Sequence, residues 1–231
     1  MTTLKTAPVP DFDSYIGRED TVYIGREGEP LGELYERGYL PYSSTRGLHD
    51  IFYSARSARV VLDQFELSSE NRRIAKKFDG QFEKKRTPAQ EFAADEAFYT
   101  FVVEYFAKRH GTGVAPRERV ELWMQSGLVS TVVEYKQGEH IVGYVLEAES
   151  SGMRHYWYSA YDLELAQQSL GLWLMLDCIR DAKEAGITHY YLGTVYGTKA
   201  LYKTNFEPLE WHDSHTWSKD IAALKALGRG E

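Results

Sequence analysis

Cysteine is almost absent from this chain of 231 residues, since Cys178 is its single cysteine. A lone thiol excludes an internal disulfide and cannot by itself supply a cysteine-based zinc or iron–sulfur site. Cys178 falls within an apolar pattern of helical spacing, which favours a buried thiol over a nucleophile. No window approaches the roughly 20 apolar residues that span a bilayer, and residues 1–10 hold no signal-like apolar run. We therefore expect a cytoplasmic protein with no membrane partner.

An overall excess of positive charge is also missing, because the formal net charge is −7. This balance argues against a protein that coats nucleic acid, and we expect no DNA partner. One segment departs from the average, since residues 71–86 carry seven basic and two acidic side chains. The run is a candidate footprint for one arm of an RNA, and the alternative is an ordinary solvated helix and loop.

Two short motifs are considered and rejected. Gly111, Thr112 and Gly113 suggest a phosphate-binding loop, but the Lys-Ser/Thr pair that should follow is missing. His212 and His215 flank an aspartate without a third ligand elsewhere, so no metal site is expected.

The composition, 43% apolar and 14% aromatic, is sufficient for a substantial core in one large domain or two closely packed small ones. Residues 1–20 are polar and contain Pro8 and Pro10, which predicts a flexible leader. Residues 21–86 are rich in Tyr, Gly, Ser and Arg and are expected to form a small N-terminal substrate-recognition subdomain. Residues 87–231 are expected to form the catalytic domain.

The spacing of apolar residues predicts the secondary structure. The clearest helix is expected at residues 88–109, with Thr87 as its cap and Pro88 at its first position. Upstream, a short helix is predicted at residues 30–37 and short strands at residues 50–53 and 59–65. A further helix is predicted to follow Ser68, which would cap it. Downstream, strands are predicted at residues 128–135, 140–147, 154–161, 188–192 and 213–218, and helices at residues 170–185 and 219–227. This α+β order suits a GNAT-like (acyl-CoA N-acyltransferase-like) mixed sheet flanked by helices.

The loop before the helix at residues 170–185 carries the first candidate chemistry. A helix N-terminus beside a strand end presents free backbone N–H groups. In GNAT acetyltransferases a Gln/Arg-x-x-Gly-x-Gly/Ala loop cradles the pyrophosphate of acetyl-CoA, and Gln168, Ser169, Leu170 and Gly171 resemble its start. Trp173 stands where that pattern requires a small residue, which argues against acetyl-CoA.

A longer resemblance covers the same region. Residues 169–211, SLGLWLMLDCIRDAKEAGITHYYLGTVYGTKALYKTNFEPLEW, resemble the signature region of arginyl- and leucyl-tRNA–protein transferases, where Ser-Leu-Gly opens a helix and Tyr-Tyr-Leu-Gly ends the next strand. Residues 34–73 resemble the N-terminal half of that family, and the run Lys108, Arg109, His110 resembles a third landmark. The matches that follow the strand are Gly197, Tyr202, Lys203, Phe206 and Pro208.

The resemblance implies transfer of arginine or leucine from a charged tRNA to the N-terminal α-amine of a protein or peptide, with an acidic N-terminal residue preferred. The expected partners are an aminoacyl-tRNA and a protein N-terminus, and charged tRNA is a co-substrate, so no cofactor is expected. The family usually carries a cysteine cluster in its N-terminal half. Residues such as Ser54, Ala55 and Ser57 stand there instead, so no metal or iron–sulfur centre can form at those positions.

The chemistry asks little of side chains, because an aminoacyl ester is activated and an α-amine with a pKa of about 7.7–8.0 is partly neutral in the cytoplasm. Positioning and oxyanion stabilisation could supply most of the rate. Candidate oxyanion donors are backbone N–H groups near Tyr158 to Tyr161, and Ser169 and Gly171 of the loop before the helix are also counted among the catalytic residues. Asp162 is a candidate to orient or deprotonate the amine, and its alternative is a loop cap.

Binding residues are assigned by the same resemblance. A cationic pocket for an acidic N-terminus would use Arg46, Arg56, Arg59, Arg73, Arg109 and His110, each with surface charge as its alternative. The predicted substrate site also includes Tyr42, Tyr53, Gly193 and Tyr202, where tyrosines could stack on the terminal adenosine or simply pack. Predicted tRNA contacts are Arg72, Lys76, Lys77, Lys199 and Lys203, and ordinary solvation is the alternative. Two other functions remain open, an acetyl-CoA-dependent N-acetyltransferase and a non-catalytic binder of acidic N-termini.

Overall fold

A computed structural model of the chain describes residues 4–5, 21–26, 28–42, 51–166 and 169–231. Two sheets organise these residues. The smaller sheet has four strands in the order β1-β2-β4-β3, and the larger has eight in the order β12-β11-β5-β10-β9-β8-β7-β6. The strands are β1 Leu4–Lys5, β2 Thr21–Ile24, β3 Tyr39–Pro41, β4 Ile51–Ser54, β5 Ser57–Val61, β6 Glu83–Pro88, β7 Thr131–Gln137, β8 His140–Ser150, β9 Met153–Tyr161, β10 His189–Thr194, β11 Leu209–His212 and β12 Trp217–Ser218.

Helices cover both faces of the larger sheet. They are α1 Leu31–Glu36, α2 Ser69–Phe78, α3 Glu96–His110, α4 Arg117–Gln125, α5 Leu163–Ala166, α6 Leu170–Glu184 and α7 Ile221–Gly230, with 3-10 turns at Leu62–Gln64 and Thr198–Asn205. Strand alternation divides the core, since Val133 packs with α2 and α6 whereas neighbouring Val132 packs with α3 and α4. Cys178 of α6 is fully buried. Within the described residues, no helix is long and apolar enough to cross a membrane.

The helix predicted at residues 88–109 begins later than expected. Glu83–Pro88 form β6, an edge strand antiparallel to β7, and Asp95 caps α3 by accepting a hydrogen bond from the Phe98 amide at 2.9 Å. A proline at the end of an edge strand costs no ladder hydrogen bond, so Pro88 is compatible with the strand. Ser68 caps α2 as predicted, accepting from the Asn71 amide at 3.1 Å.

The predicted boundary between residues 86 and 87 falls inside β6. The larger sheet also includes β5, which lies between β10 and β11, so part of the predicted N-terminal subdomain is built into the central sheet. The smaller sheet joins this body through Tyr35, Leu40, Ala55, Met153 and Tyr191, which form a separate buried cluster. The predicted leader lies outside the described residues except for Leu4–Lys5.

Candidate active site

A cleft opens where the two central parallel strands part. β10 pairs with β9 over three positions, the last being Tyr191 opposite His155. Beyond that point β10 continues to Thr194 along β5, while β9 continues to Tyr161 along β8. Among the described residues, no strand therefore pairs with the β10 side of β9 after His155. The cleft has a volume of about 1060 Å³.

The cleft is aromatic and basic. Its aromatic lining consists of Tyr53, Tyr105, Phe106, Tyr156, Trp157, Tyr158, Tyr161, Tyr196 and Tyr202. Its cations are Lys108, Arg109, Lys199 and Lys203. No aspartate or glutamate is found among the described lining residues, although the chain as a whole has a net charge of −7. The fold therefore gathers positive charge at one concave site of an acidic protein.

Lys203 projects from the 3-10 turn at Thr198–Asn205. Its Nζ donates to the carbonyl oxygen of Thr194 at 2.7 Å, which ties the ammonium to the end of β10. Burial lowers the pKa of Lys203 to about 8, because the charged form loses solvation there. This group therefore stays mostly protonated at neutral pH and titrates just above it.

His155 lies at the last paired position of β9 and is 2% exposed. Burial, together with the charge of Lys203, lowers the pKa of His155 to about 3, so the imidazole is neutral at physiological pH. Its Nδ1 is 2.8 Å from the hydroxyl of Tyr35 in α1. The ring is thus held by a residue that belongs to the N-terminal part of the chain.

The start of α6 meets the cleft at Ser169 and Gly171. Ser169 adopts φ 77°, a left-handed conformation. A Cβ at Gly171 would lie 2.5 Å from the hydroxyl oxygen of Tyr161, so the missing side chain makes room for that ring. Trp173 points the other way, packing on Phe78 and donating from Nε1 to Asp79 at 2.8 Å. The objection to acetyl-CoA drawn from Trp173 therefore does not hold, because its side chain is outside the cleft.

Two predicted catalytic positions differ in their surroundings. Tyr158 lines the cleft and stacks on Trp123, with ring centroids 3.8 Å apart. Asp162 does not line the cleft. Its carboxylate is 2.9 Å from Nε2 of His140 and accepts from the Glu164 amide at 2.7 Å, at the start of α5. The structure therefore gives Asp162 the capping role that was the alternative in the sequence.

Three predicted acceptor-binding arginines are held by carboxylates of the protein. Arg56 pairs with Glu231, and both side chains are almost buried. Arg59 pairs with Glu36 at 2.5 Å and Glu210 at 2.8 Å. Arg73 pairs with Glu70 on the exposed face of α2. This corrects the sequence prediction, because none of the three lines the cleft and each charge is already compensated.

The other predicted binding residues divide into three groups. Those that line the cleft are Tyr53, Arg109, His110, Gly193, Lys199, Tyr202 and Lys203. Those that lie elsewhere are Tyr42, whose ring centroid is 6.1 Å from that of Tyr53, and Arg72, Lys76 and Lys77 on α2. Arg46 and Gln168 lie outside the described residues.

Sequence reasoning did not assign His155, Tyr35 or Tyr105 to the site, and it considered Tyr161 only for its backbone N–H group. Tyr105 and Tyr161 both line the cleft, and their ring centroids are 4.8 Å apart. The Tyr-rich composition was a weak signal for these rings, but His155 and Tyr35 are 120 residues apart and nothing local marks them as partners. Within the described residues, no group of three or more His, Cys, Asp or Glu side chains is arranged to hold a metal ion.

A mixed sheet whose two central parallel strands part beside a helix N-terminus is the arrangement of the N-acyltransferase fold. The chain belongs to the acetyltransferase (GNAT) domain family, whose model matches residues 67–204. The predicted GNAT-like α+β fold is thereby confirmed.

Curated relatives are similar over most of the chain. The aspartate/glutamate leucyltransferase of Methylorubrum populi is 28% identical over 211 residues, covering 82% of this chain and 83% of that protein. The protein of the same name from Hyphomonas neptunium is 28% identical over 175 residues, covering 71% and 68%. These matches confirm the family resemblance read from the sequence and support an aminoacyltransferase. The structure of L-PGS from Bacillus licheniformis is 14% identical with a TM-score of 0.48, covering 90% of this chain and 73% of that one.

Proposed function

We propose that this protein transfers leucine from a charged tRNA to the N-terminal amine of proteins or peptides that begin with aspartate or glutamate. The similar proteins bear the name aspartate/glutamate leucyltransferase, which supports leucine over arginine and supports an acidic acceptor. The charged tRNA is the donor because its aminoacyl ester is already activated, and the reaction then needs positioning more than a strong base.

One observation carries the proposal, the basic and aromatic cleft at the point where β9 and β10 part. Both substrates carry negative charge, the tRNA in its phosphates and the acceptor in its first side chain. Four cations without a carboxylate among the described lining residues suit both. The aromatic rings offer stacking surfaces for the unpaired bases at the tRNA 3′ end.

We assign the acceptor and the donor to different residues of the cleft. Arg109 and His110 end α3 at the rim, and we assign the acidic side chain of the acceptor to them. Partial burial and the charges of Arg109 and Lys199 lower the pKa of His110, which places both cations close to this ring. Lys199 contacts a phosphate of the donor's terminal nucleotides. Arg72, Lys76 and Lys77 contact the tRNA further out.

The alternative donor, acetyl-CoA, is disfavoured by the tyrosine that covers the start of α6. In a GNAT acetyltransferase the pyrophosphate approaches the backbone of this helix turn. Here the hydroxyl of Tyr161 packs on Gly171 at that turn. The first turn of α6 also carries no basic side chain. Together these features leave little room for a pyrophosphate at this turn, and the described residues of the turn supply no counter-charge of their own.

The test combines each of several peptide acceptors with each of several donors and measures the mass of the peptide after the reaction. Peptides that begin with Asp, Glu, Asn or Gln are incubated with leucyl-tRNA, arginyl-tRNA or acetyl-CoA. The Asn and Gln peptides match the acidic ones in shape and lack their charge. We expect a ribonuclease-sensitive mass gain of one leucyl residue on the Asp and Glu peptides alone.

Other outcomes decide against the proposal. A gain of one acetyl group that survives ribonuclease would replace it with acetyl transfer. An arginyl gain would keep the reaction type and change the donor. Peptide binding without any mass change would favour the non-catalytic binder.

A further inference from the structure

Gly193, His155 and Lys203 line one part of the cleft, which we call the notch. Gly193 follows the last parallel pair by two residues and adopts φ 78°. A Cβ built there would lie 3.3 Å from Nε2 of His155 and 3.7 Å from Nζ of Lys203. Nε2 of His155 and Nζ of Lys203 therefore both lie beside Gly193, where a side chain would crowd the imidazole.

The proton on His155 faces this notch. The imidazole is neutral, because burial and the Lys203 charge lower its pKa to about 3. Tyr35 is fully buried and its pKa is raised, so its hydroxyl keeps its proton. Nδ1 of His155, 2.8 Å away, is the acceptor for that proton, since a buried O–H without an acceptor is costly. With Nδ1 accepting, the ring proton sits on Nε2.

The ammonium of Lys203 also lies at the notch. One of its protons is donated to the Thr194 carbonyl oxygen at 2.7 Å, which fixes the position of Nζ. An ammonium has three donors, so two remain for a ligand. Lys203 and His155 thus present N–H groups to the part of the cleft beside Gly193.

We propose that the notch is the oxyanion site of the transfer reaction, formed by the Nε2–H group of His155 and the ammonium of Lys203. The inference rests on the proposed function and names two catalytic residues for it. Tyr35 is a positioning residue, because its hydroxyl selects the histidine tautomer and does not touch the substrate.

The chemical step follows from this placement. The neutral acceptor amine attacks the ester carbonyl carbon, a C–N bond forms, and the carbonyl electron pair moves to oxygen in the notch. The two N–H donors stabilise that negative charge as it develops. The oxyanion then collapses, the bond to the ribose oxygen breaks, and the proton lost by the amine ends on that oxygen. The products are an extended peptide and uncharged tRNA.

The arrangement also gives the N-terminal part of the chain a role in the chemistry. Tyr35 belongs to α1, whereas His155 and Lys203 belong to the GNAT-matched region. A change that moves α1 would release the Tyr35 hydroxyl and allow the other tautomer, whose Nε2 lone pair would repel the oxyanion.

The test compares two amides at position 155. In His155→Gln the side-chain NH2 can occupy the place of Nε2, whereas in His155→Asn it reaches only the place of Nδ1. Single-turnover leucyl transfer to an Asp-initiated peptide is measured at saturating substrates. We expect about a 100-fold loss of kcat for His155→Asn, the usual effect of losing an oxyanion donor, and a loss of about 10-fold or less for His155→Gln. KM for the peptide should change less than about threefold in both.

Tyr35→Phe supplies a readout that a structural role would not give. Alone it should lower kcat about tenfold, but in the His155→Gln background it should have no effect, because glutamine has no tautomer to select. Lys203→Met should lower kcat about 100-fold. The wild-type kcat should fall above about pH 8, where Lys203 loses its proton, and Lys203→Arg should remove that limb.

The outcomes separate the two proposals. If the wild-type protein transfers leucine and His155→Asn and Lys203→Met do so at its rate, the oxyanion site is wrong and the function stands. If kcat instead rises above pH 8 and levels off in the wild type, and Lys203→Arg abolishes that rise, Lys203 is a base and the site is also wrong. If the wild-type protein transfers nothing, the proposed function fails. Circular-dichroism melting checks that each variant folds. If the variants at position 155 do not fold, Lys203→Met and Lys203→Arg still test the proposal.

Discussion

The guanidinium carbon of Arg59 lies 4.0 Å from the centroid of the Trp217 ring. The same guanidinium donates to the hydroxyl of Tyr191 at 3.0 Å and pairs with Glu36 and Glu210. Trp217 in turn donates from Nε1 to the carbonyl oxygen of Glu36 at 2.8 Å. Arg59 therefore joins α1 to β5, β11 and β12, and its charge is used within the protein.

Replacing Arg59 by alanine should destabilise the fold without affecting acceptor recognition. The change leaves Glu210 with only the more distant Lys219 ammonium, 3.7 Å away, and removes the stacking on Trp217, which should lower the free energy of unfolding by about 3 kcal/mol. Urea unfolding measures this loss. Arg73→Ala is the control, because Arg73 pairs only with exposed Glu70 and its loss should leave the unfolding midpoint unchanged. A raised KM for acidic peptides at normal stability would return Arg59 to the acceptor site.

The buried neutral His155 should make stability depend on pH. Its pKa is lowered to about 3, below the value of about 6.5 in the unfolded chain. The unfolded state therefore binds a proton that the folded state does not, and stability present above pH 6.5 is lost as the pH falls. Between pH 7 and pH 5 this group should remove about 2 kcal/mol. Over the same pH interval, the free energy of unfolding of His155→Gln should fall by about 2 kcal/mol less than that of the wild type. Parallel curves of unfolding free energy against pH for the two proteins would contradict the assignment.

Gly171→Ala should destabilise the protein, although alanine is normally the better helix residue. The new Cβ would lie 2.5 Å from the Tyr161 hydroxyl oxygen, so either the ring or the start of α6 must shift. We expect a loss of about 1–3 kcal/mol in the free energy of unfolding. In a Tyr161→Ala background the same change should be neutral or stabilising. Equal effects in both backgrounds would show that the two residues do not interact.

Reversing charge on α2 should weaken tRNA binding in a salt-dependent way. Arg72→Glu combined with Lys76→Glu removes two exposed cations, so affinity for tRNA should fall and the slope of log K against log salt should flatten by about one to two units. Arg73→Glu on the same helix is the matched control. If its effect equals that of Arg72→Glu, or if the double variant binds normally, α2 is an ordinary solvated helix.

Much of the fold could be predicted from local pattern. The hairpin of β7 and β8, the strand β9 and the helix α6 lie within a few residues of their predicted positions, because apolar alternation and helical spacing are properties of adjacent residues. The start of α3 was misplaced, since Thr87 and Pro88 imitate a helix start and only pairing with β7 makes them a strand. The short β11 was missed because four residues carry little periodic signal.

The amino-acid sequence by itself determined that this chain has an α+β core, one thiol that cannot form an internal disulfide, and the ordered motifs of its family. These follow from composition and from neighbours along the chain. Only the tertiary structure decided which charges serve the site. Arg56 and Arg59 are neutralised by distant carboxylates, whereas Lys203 meets His155 across the parted strands and Tyr35 reaches His155 from 120 residues away. Ion pairing, burial and tautomer depend on contacts between segments far apart in sequence, so the pattern of residues alone could not assign them.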